Sequence, residues 1–504
     1  MKIAGLDIGT TGCKLSVFDE NGVYLDRSYR DYPSIRGDEQ QIDASLIKAA
    51  VYEVCQDMGQ KYPDIAGIGV TSFGETFVLT DGEGNVLLPS MLYTDPRGKE
   101  QCKRLKETLG EETIETVSGL KPHEMYSLPK IMWVKENLPE IWAKVRHIFL
   151  VEDFIVHALT GICQIDYSLA TRTMAFDIKH LCFSEKLLQA AGIESSLFSK
   201  PVPTGTSAGV ITKDTAEKTG LSFDTIVVSI GHDQIAACIG AGANDADIAT
   251  DGAGTVQCLT PIYDHEPDPK KMAEGSYCIV PYILEGTYVT YAFSYTGGAL
   301  LNWCVDTLAK EEKKIAAEKG ISVNQYLEQL YAENHPVNRP SGMLVLPHFA
   351  GAATPYMDTG SKGAIIGLTV GTTTEEIYRA CMEGVAYEMM LNYERVKETG
   401  LHVKKIHATG GGAKSKVWMQ MKADVLNLPI TAMETVDAGT VGSAMLTGIA
   451  CGVFQDLKEA ADHMIVPVHT YTPDEKAHEA YMDVYARYKK LYEAVRPLVG
   501  KEQA

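Results

Sequence analysis

Short apolar runs separated by turn residues open the chain. Residues 2–6 form an apolar strand, Asp7-Ile8-Gly9-Thr10-Thr11-Gly12 a turn, and 13–18 an alternating strand. Asp19-Glu20-Asn21-Gly22 then turns into 23–28, so the opening predicts a β-meander. The period changes next. Leu46, Ile47, Ala50, Val51, Val54, Cys55 and Met58 recur at helical spacing and predict a helix over 44–62. Buried-strand runs follow at 65–71 and 76–80. Strands and helices alternate from there, which is the α/β class.

The second half opens in the same manner. Residues 248–250 lead into Asp251-Gly252-Ala253-Gly254-Thr255, and 256–260 is again a strand. Two halves that each begin strand, Asp/Gly/Thr turn, strand predict a duplicated domain. A small-residue helix over 234–242 lies between them, and the division is placed at 245, giving units 1–245 and 246–504. Tyr481, Tyr485, Tyr488 and Tyr492 stand at helical spacing and predict a terminal helix that packs an aromatic stripe.

Composition narrows the function. The chain has 504 residues, 45% hydrophobic and 22% charged, which excludes a disordered or fibrous chain. The net charge is −20 with no basic stripe, so no nucleic-acid partner is expected and an anionic membrane surface would repel it. No apolar run reaches the 18 residues of a membrane span, and the first residues do not read as a signal peptide. The 11 cysteines are odd in number and dispersed, with no C-x-x-C pair. They read as reduced core thiols (Cys238, Cys304, Cys451), so the cytoplasm is the expected compartment. Neither H-E-x-x-H nor paired cysteines supports a zinc site.

Four turns carry candidate chemistry. In Asp7-Ile8-Gly9-Thr10-Thr11-Gly12, glycines permit close approach, threonine hydroxyls and free N–H groups can cradle phosphate, and a carboxylate can hold Mg²⁺ through water. The alternative is a plain hairpin turn. Asp251-Gly252-Ala253-Gly254-Thr255 admits the same two readings, and two such turns could grip a phosphate chain from both sides of a cleft. Thr409-Gly410-Gly411-Gly412-Ala413-Lys414-Ser415 stands between a strand and a helix over 417–425, the arrangement of an anion or nucleotide platform. It is neither a Walker A loop nor G-x-G-x-x-G. Gly231-His232-Asp233-Gln234 follows a strand over 225–230. Asp233 there is either a general base toward a hydroxyl or a helix N-cap.

Larger motifs extend these readings. Met125-Tyr126-Ser127-Leu128-Pro129-Lys130-Ile131-Met132-Trp133-Val134-Lys135-Glu136-Asn137 and Gly363-Ala364-Ile365-Ile366-Gly367-Leu368, the latter followed by Glu376-Ile377 and Ala380-Cys381-Met382-Glu383, look like the two signatures of one family. With these the chain resembles the FGGY family of carbohydrate kinases, within the actin-like ATPase superfamily, nearly end to end. Cys381 alone departs from the usual residue set of the second signature. The resemblance implies two duplicated actin-like, ribonuclease H-like ATPase domains around an interdomain cleft. It implies ATP and Mg²⁺, with a small sugar or polyol as acceptor.

Roles carry over by position. Asp7 resembles the Mg²⁺ carboxylate and Thr10 and Thr11 the first phosphate loop. Gly254 and Thr255 resemble the second, and Gly298 belongs to the glycine pair flanking the ATP cleft. Gly411, Gly412 and Ser415 match the segment that holds adenosine. Asp233 matches the catalytic base and Gln234 the residue after it in glycerol kinases. Glu75 matches a substrate-binding Glu of those enzymes. Tyr93, Asp95 and Arg97 fall where relatives read W-x-D-x-R and line the sugar pocket.

Two departures concern the substrate. Glycerol kinases carry Arg where this chain has Gly74 and Tyr where it has Met125, so hydrogen bonds to a small triol are lost and room is expected beside Glu75. Xylulokinases carry Q-M-H-G at 72–75 and G-G-G-D where this chain has Gly231-His232-Asp233. The expectation is a sugar or polyol larger than glycerol, with a ketose such as a pentulose or deoxy-ketose favoured. Relatives are often dimers or tetramers, so a homodimer is expected, though no interface signature stands in the sequence. Two other classes share the fold: a non-catalytic sugar/ATP-binding sensor and a bare ATPase. Intact Asp7, Asp233 and Thr255 speak against the first, and Glu75, Asp95 and Arg97 against the second.

Overall fold

The computed structural model describes residues 1–35, 39–434 and 437–499. Each half of the chain builds its own β-sheet. In the first, β1 (Lys2–Ile8), β2 (Gly12–Asp19) and β3 (Tyr24–Asp31) form the expected meander. With β4 (Ile65–Ser72), β5 (Thr206–Val210) and β6 (Ile226–His232) the order is β5-β6-β4-β1-β2-β3. The helical period becomes α1 (Ala44–Lys61), capped by Asp43, whose Oδ1 accepts from Ser45 N at 2.8 Å. Ile47, Val51 and Val54 of α1 pack with Ala4, Leu6 and Ile8 of β1 in one buried cluster. The run over 76–80 is a strand, Phe77–Thr80, but it pairs with His147–Leu150 outside the main sheet.

The second sheet repeats the first. It contains β7 (Ile248–Ala253), β8 (Gln257–Tyr263), β9 (Ala292–Ser294), β10 (Lys405–Thr409), β11 (Ile430–Glu434) and β12 (Val466–Tyr471). The runs β3-β2-β1-β4-β6 and β9-β8-β7-β10-β11 share one topology: antiparallel from the first strand to the third, then parallel. The duplication expected from two short turns is therefore a duplication of whole five-stranded units.

Each unit is followed by a helix. α2 (Asp233–Gly240) leaves β6. In the second half α3 (Lys416–Leu426) joins β10 to β11, and α4 (Ala438–Ala450) follows β11. α4 lies on the first sheet, where Thr447 Oγ1 is 3.4 Å from Ala4 O. α2 reaches the second sheet, where Cys238 Sγ is 3.0 Å from Thr250 Oγ1 of β7. So each half lends a helix to the other, and both helices begin at the space between the sheets.

The tyrosine stripe divides. Tyr481, Tyr485 and Tyr488 lie on the helix Glu475–Tyr488, buried around Tyr387. Tyr492 lies on a separate short helix, stacked on Tyr356 with ring centroids 3.8 Å apart. All eleven thiols are free, and only Cys182 is exposed. Among the described residues no helix is long and apolar enough to cross a membrane.

Candidate active site

The first turn brings a cation that the sequence reading did not single out. Asp7, on β1, faces Lys14 across the β1–β2 register, and Lys14 Nζ is 3.0 Å from Asp7 Oδ2. Lys14 also pairs with Asp437, the N-cap of α4. Burial works against the Lys14 charge, but the two carboxylates outweigh it and hold its pKa above the usual lysine range. Burial pushes the Asp7 carboxyl up, with Lys14 opposing. Counting register across the predicted hairpin would have found Lys14. Thr10 and Thr11 occupy the tip of the turn, which Gly9 N closes on Gly12 O at 2.9 Å.

Among the described residues no three His, Cys, Asp or Glu side chains cluster as a metal cage. Mg²⁺ in a phosphate site needs only one or two carboxylates beside phosphate oxygens and water. Asp7 and Asp437 share a single ammonium, so the pair retains an unneutralised negative charge and its donor chemistry fits that ion.

The second turn is built differently. Asp251, the counterpart of Asp7, is fully buried, and Lys422 of α3 neutralises it at 2.7 Å. Gln257 bonds the same carboxylate. This carboxylate is structural, and the turn offers backbone and Thr255 alone. Gly254 O and Thr255 O accept from Gly298 N (2.8 Å) and Ala299 N (3.0 Å), which docks the turn on the helix Gly298–Thr307.

Gly254, Thr255, Gly298, Gly411, Gly412 and Ser415 line one cavity of about 400 Å³, a size suited to a small ligand. Ser415 caps α3, accepting from Trp418 N at 3.0 Å, and donates to Glu328 Oε1 at 2.6 Å. Its hydroxyl is thus committed, and Glu328 presents the polar edge. Asn302, Asn324, Glu328 and Tyr378 complete the wall from three separate helices. Asn302, Asn324 and Glu328 carry no motif, and Tyr378 falls between the quoted residues of the second signature, so sequence reading passed over all four.

The other cluster belongs mainly to the first half. Glu75 sits at φ 63°, a left-handed backbone that is costly for a side chain of this size and marks functional sites. Its Oε1 accepts from Arg172 Nε at 2.5 Å and from Arg172 Nη2. The guanidinium lies 5.1 Å from the Tyr126 ring and 5.6 Å from that of Tyr291. A Cβ at Gly74 would meet His232 Cδ2 and Nε2 at 3.0 Å and Arg172 Cγ at 3.2 Å. Room was expected where glycerol kinases carry Arg; instead the His232 ring and the Arg172 stem fill that space.

Asp95, 1% exposed, takes Arg97 Nε at 2.8 Å, Arg97 Nη2 at 2.7 Å and Gln40 N at 3.0 Å. Tyr93, two residues before Asp95, is exposed. Lys130 is buried near Asp95 and Glu75, donates to Glu124 O, and is pushed down to about 8 by burial.

Asp233 is the first residue of α2, so it is not the N-cap, which is His232. Burial, then the charge of Asp7, pushes its carboxyl up to about 7, against the hydrogen bond from Gln234. Gln234 Nε2 (3.3 Å) and His232 Nε2 (3.5 Å) both approach Oδ1, the Gln234 backbone N–H also favours the ionised carboxyl, and among the described residues no side-chain donor meets Oδ2. A carboxylate poised near neutrality with one free oxygen can accept a proton from a hydroxyl.

Comparison with known proteins matches both halves. Models for the N-terminal and C-terminal domains of the FGGY family of carbohydrate kinases match residues 2–240 and 253–451. The xylulose kinase of Bacillus subtilis is 26% identical over 502 residues, covering 98% of this chain and 97% of that protein. The glycerol kinase of Aquifex aeolicus is 28% identical over 504 residues, covering 97% of each. The crystal structure of a gluconate kinase from Lactobacillus acidophilus superposes with a TM-score of 0.87 at 25% identity, covering 98% of both chains.

Proposed function

The chain belongs to the FGGY family of carbohydrate kinases, and from that premise we propose that it transfers the γ-phosphoryl group of ATP to a hydroxyl of a neutral sugar or polyol, a ketose being favoured. The observation that carries the site assignment is Asp233, with Oδ1 held and Oδ2 clear at the cleft end of α2.

Asp233 Oδ2 takes the proton as the O–H bond of the acceptor breaks. The acceptor oxygen bonds to phosphorus, the bond to ADP breaks, and ADP leaves. Phosphoryl transfer demands alignment and charge neutralisation more than covalent chemistry. Lys14, Thr10 and Thr11 supply cation and hydroxyl groups on one side of the phosphates and the Gly254-Thr255 turn on the other. Asp7 and Asp437 would hold Mg²⁺, which supplies charge neutralisation when bound. The cavity beside Gly411, Gly412 and Ser415 takes adenosine, with Glu328 accepting from ribose hydroxyls.

Charge supports a neutral acceptor over a sugar acid. Arg172 is paired with Glu75 and Arg97 with Asp95, and Lys130 donates to the Glu124 carbonyl, so both guanidinium charges of this cluster are already matched by carboxylates. The test is ADP release across xylulose, ribulose, fuculose, rhamnulose, gluconate, glycerol and alditols. A single strong neutral responder supports the reading, and a preference for gluconate overturns the charge argument. ATP binding without ADP release on any acceptor overturns the kinase assignment.

A further inference from the structure

Resting on the reading of Asp233 as the base, we infer that His232 is a positioning residue for it, and that Tyr291 of the second half holds His232 in that role.

His232 ends β6 and is 6% exposed. Its backbone N–H donates to Ser168 Oγ at 3.0 Å. Gly74, lacking a Cβ, admits the ring. Nδ1 is 3.1 Å from Tyr291 Oη and Nε2 is 3.5 Å from Asp233 Oδ1. Tyr291, also 6% exposed, directly precedes β9 and so belongs to the opposite half from His232.

The proton positions follow from the partners. Burial, then the neighbouring Arg172, holds the imidazole neutral, so it carries one N–H. An ionised carboxylate only accepts, which puts that hydrogen on Nε2. Nδ1 is then an acceptor, and the Tyr291 hydroxyl is the donor it faces. The Tyr291–His232 hydrogen bond fixes the ring, so that Nε2–H faces Asp233 Oδ1 at 3.5 Å, a polar contact longer than a hydrogen bond. Gln234 bonds the same Oδ1 at 3.3 Å, so ring and amide both crowd that oxygen and turn Oδ2 toward the substrate hydroxyl. Because Tyr291 comes from the second half, the base is oriented only while the two halves keep this arrangement.

The test uses the full chain with its best acceptor, comparing His232→Ala, His232→Gln and Tyr291→Phe, with His232→Ala also placed in an Asp233→Asn background. His232→Ala should lower kcat about 10–100-fold, within the range for general-base contributions, while KM for ATP stays within about twofold. His232→Gln, which keeps an N–H donor, should recover about fivefold or more of that loss, and Tyr291→Phe should cost about 3–10-fold. In the Asp233→Asn background the His232 change should cost less than about twofold, because it acts through the base. Unchanged kcat in His232→Ala, an equal loss in the Gln variant, or a full loss in the Asp233→Asn background overturns the inference. If Asp233→Asn alone retains turnover, the base reading falls and takes this inference with it, and that single variant tells the two failures apart.

Discussion

Gly240 of α2 and Gly442 of α4 lie against one another where the two halves exchange helices. A Cβ on Gly240 would stand 2.7 Å from Gly442 N, and one on Gly442 would stand 2.8 Å from Gly240 N. Either would also run into a carbonyl oxygen, that of Ala438 or of Ala236. The contact joins the helix that begins at Asp233 to the helix capped by Asp437. Gly442→Ala should destabilise by about 1–3 kcal/mol, the usual cost of overpacking. It should also lower kcat by wedging apart the helices that carry the site. Denaturant unfolding and steady-state kinetics check both, and an unchanged midpoint refutes the packing argument.

Asp233→Asn should lower turnover about 100-fold or more, as loss of a general base does. In the native enzyme kcat/KM for the acceptor should fall below about pH 7, where Asp233 gains its proton. Stability should move the opposite way. The folded pKa is raised from the ordinary carboxylate value of 3.8 to about 7, so ionised Asp233 opposes folding. The native stability advantage of the protonated form is complete below about pH 4 and is lost as pH rises to 7. Asn should therefore raise the Tm most at pH 8 and least near pH 4, which calorimetry reads directly.

Arg172→Ala strands the buried Glu75 carboxylate. Breaking such a pair costs about 3–5 kcal/mol. Acceptor KM should rise more than about tenfold, by the loss of one charge-assisted hydrogen bond, with KM for ATP nearly constant. Arg172→Lys should fall between the two, since it keeps the charge and loses the double contact on Oε1. Equal losses in both parameters would show a general structural role.

Glu328→Gln should raise KM for ATP about fivefold, the worth of one ordinary net hydrogen bond, and leave acceptor KM unchanged. Glu328 lines the cavity proposed for adenosine and accepts from Ser415 there.

Lys422→Met should destabilise by about 3–5 kcal/mol by leaving Asp251 buried and unpaired. The double change with Asp251→Leu should recover most of that loss, because an apolar pair of similar size tolerates the site. Urea titration of the two variants beside the parent protein separates these outcomes.

The sequence by itself determined what local rules govern. Period and turn chemistry act within about a dozen residues, so the meander of β1–β3, the helix α1 and the four glycine turns were legible in it. The two Asp/Gly/Thr turns also announced the duplication, since each half repeats the same local solution. Tertiary structure alone decided what distant segments do to one another. Arg172 meets Glu75 across 97 residues of chain, and Lys422 meets Asp251 across 171. The equivalent carboxylates Asp7 and Asp251 read alike in sequence, yet one faces the cleft and the other is neutralised in the core. Gly74 looked like a vacancy until His232 and Arg172 were seen to fill it. Nor could spacing along the chain bring Tyr291 to His232, or assign α4 to the sheet of the other half. Such contacts are selected by packing between elements, where shape and charge must match in three dimensions.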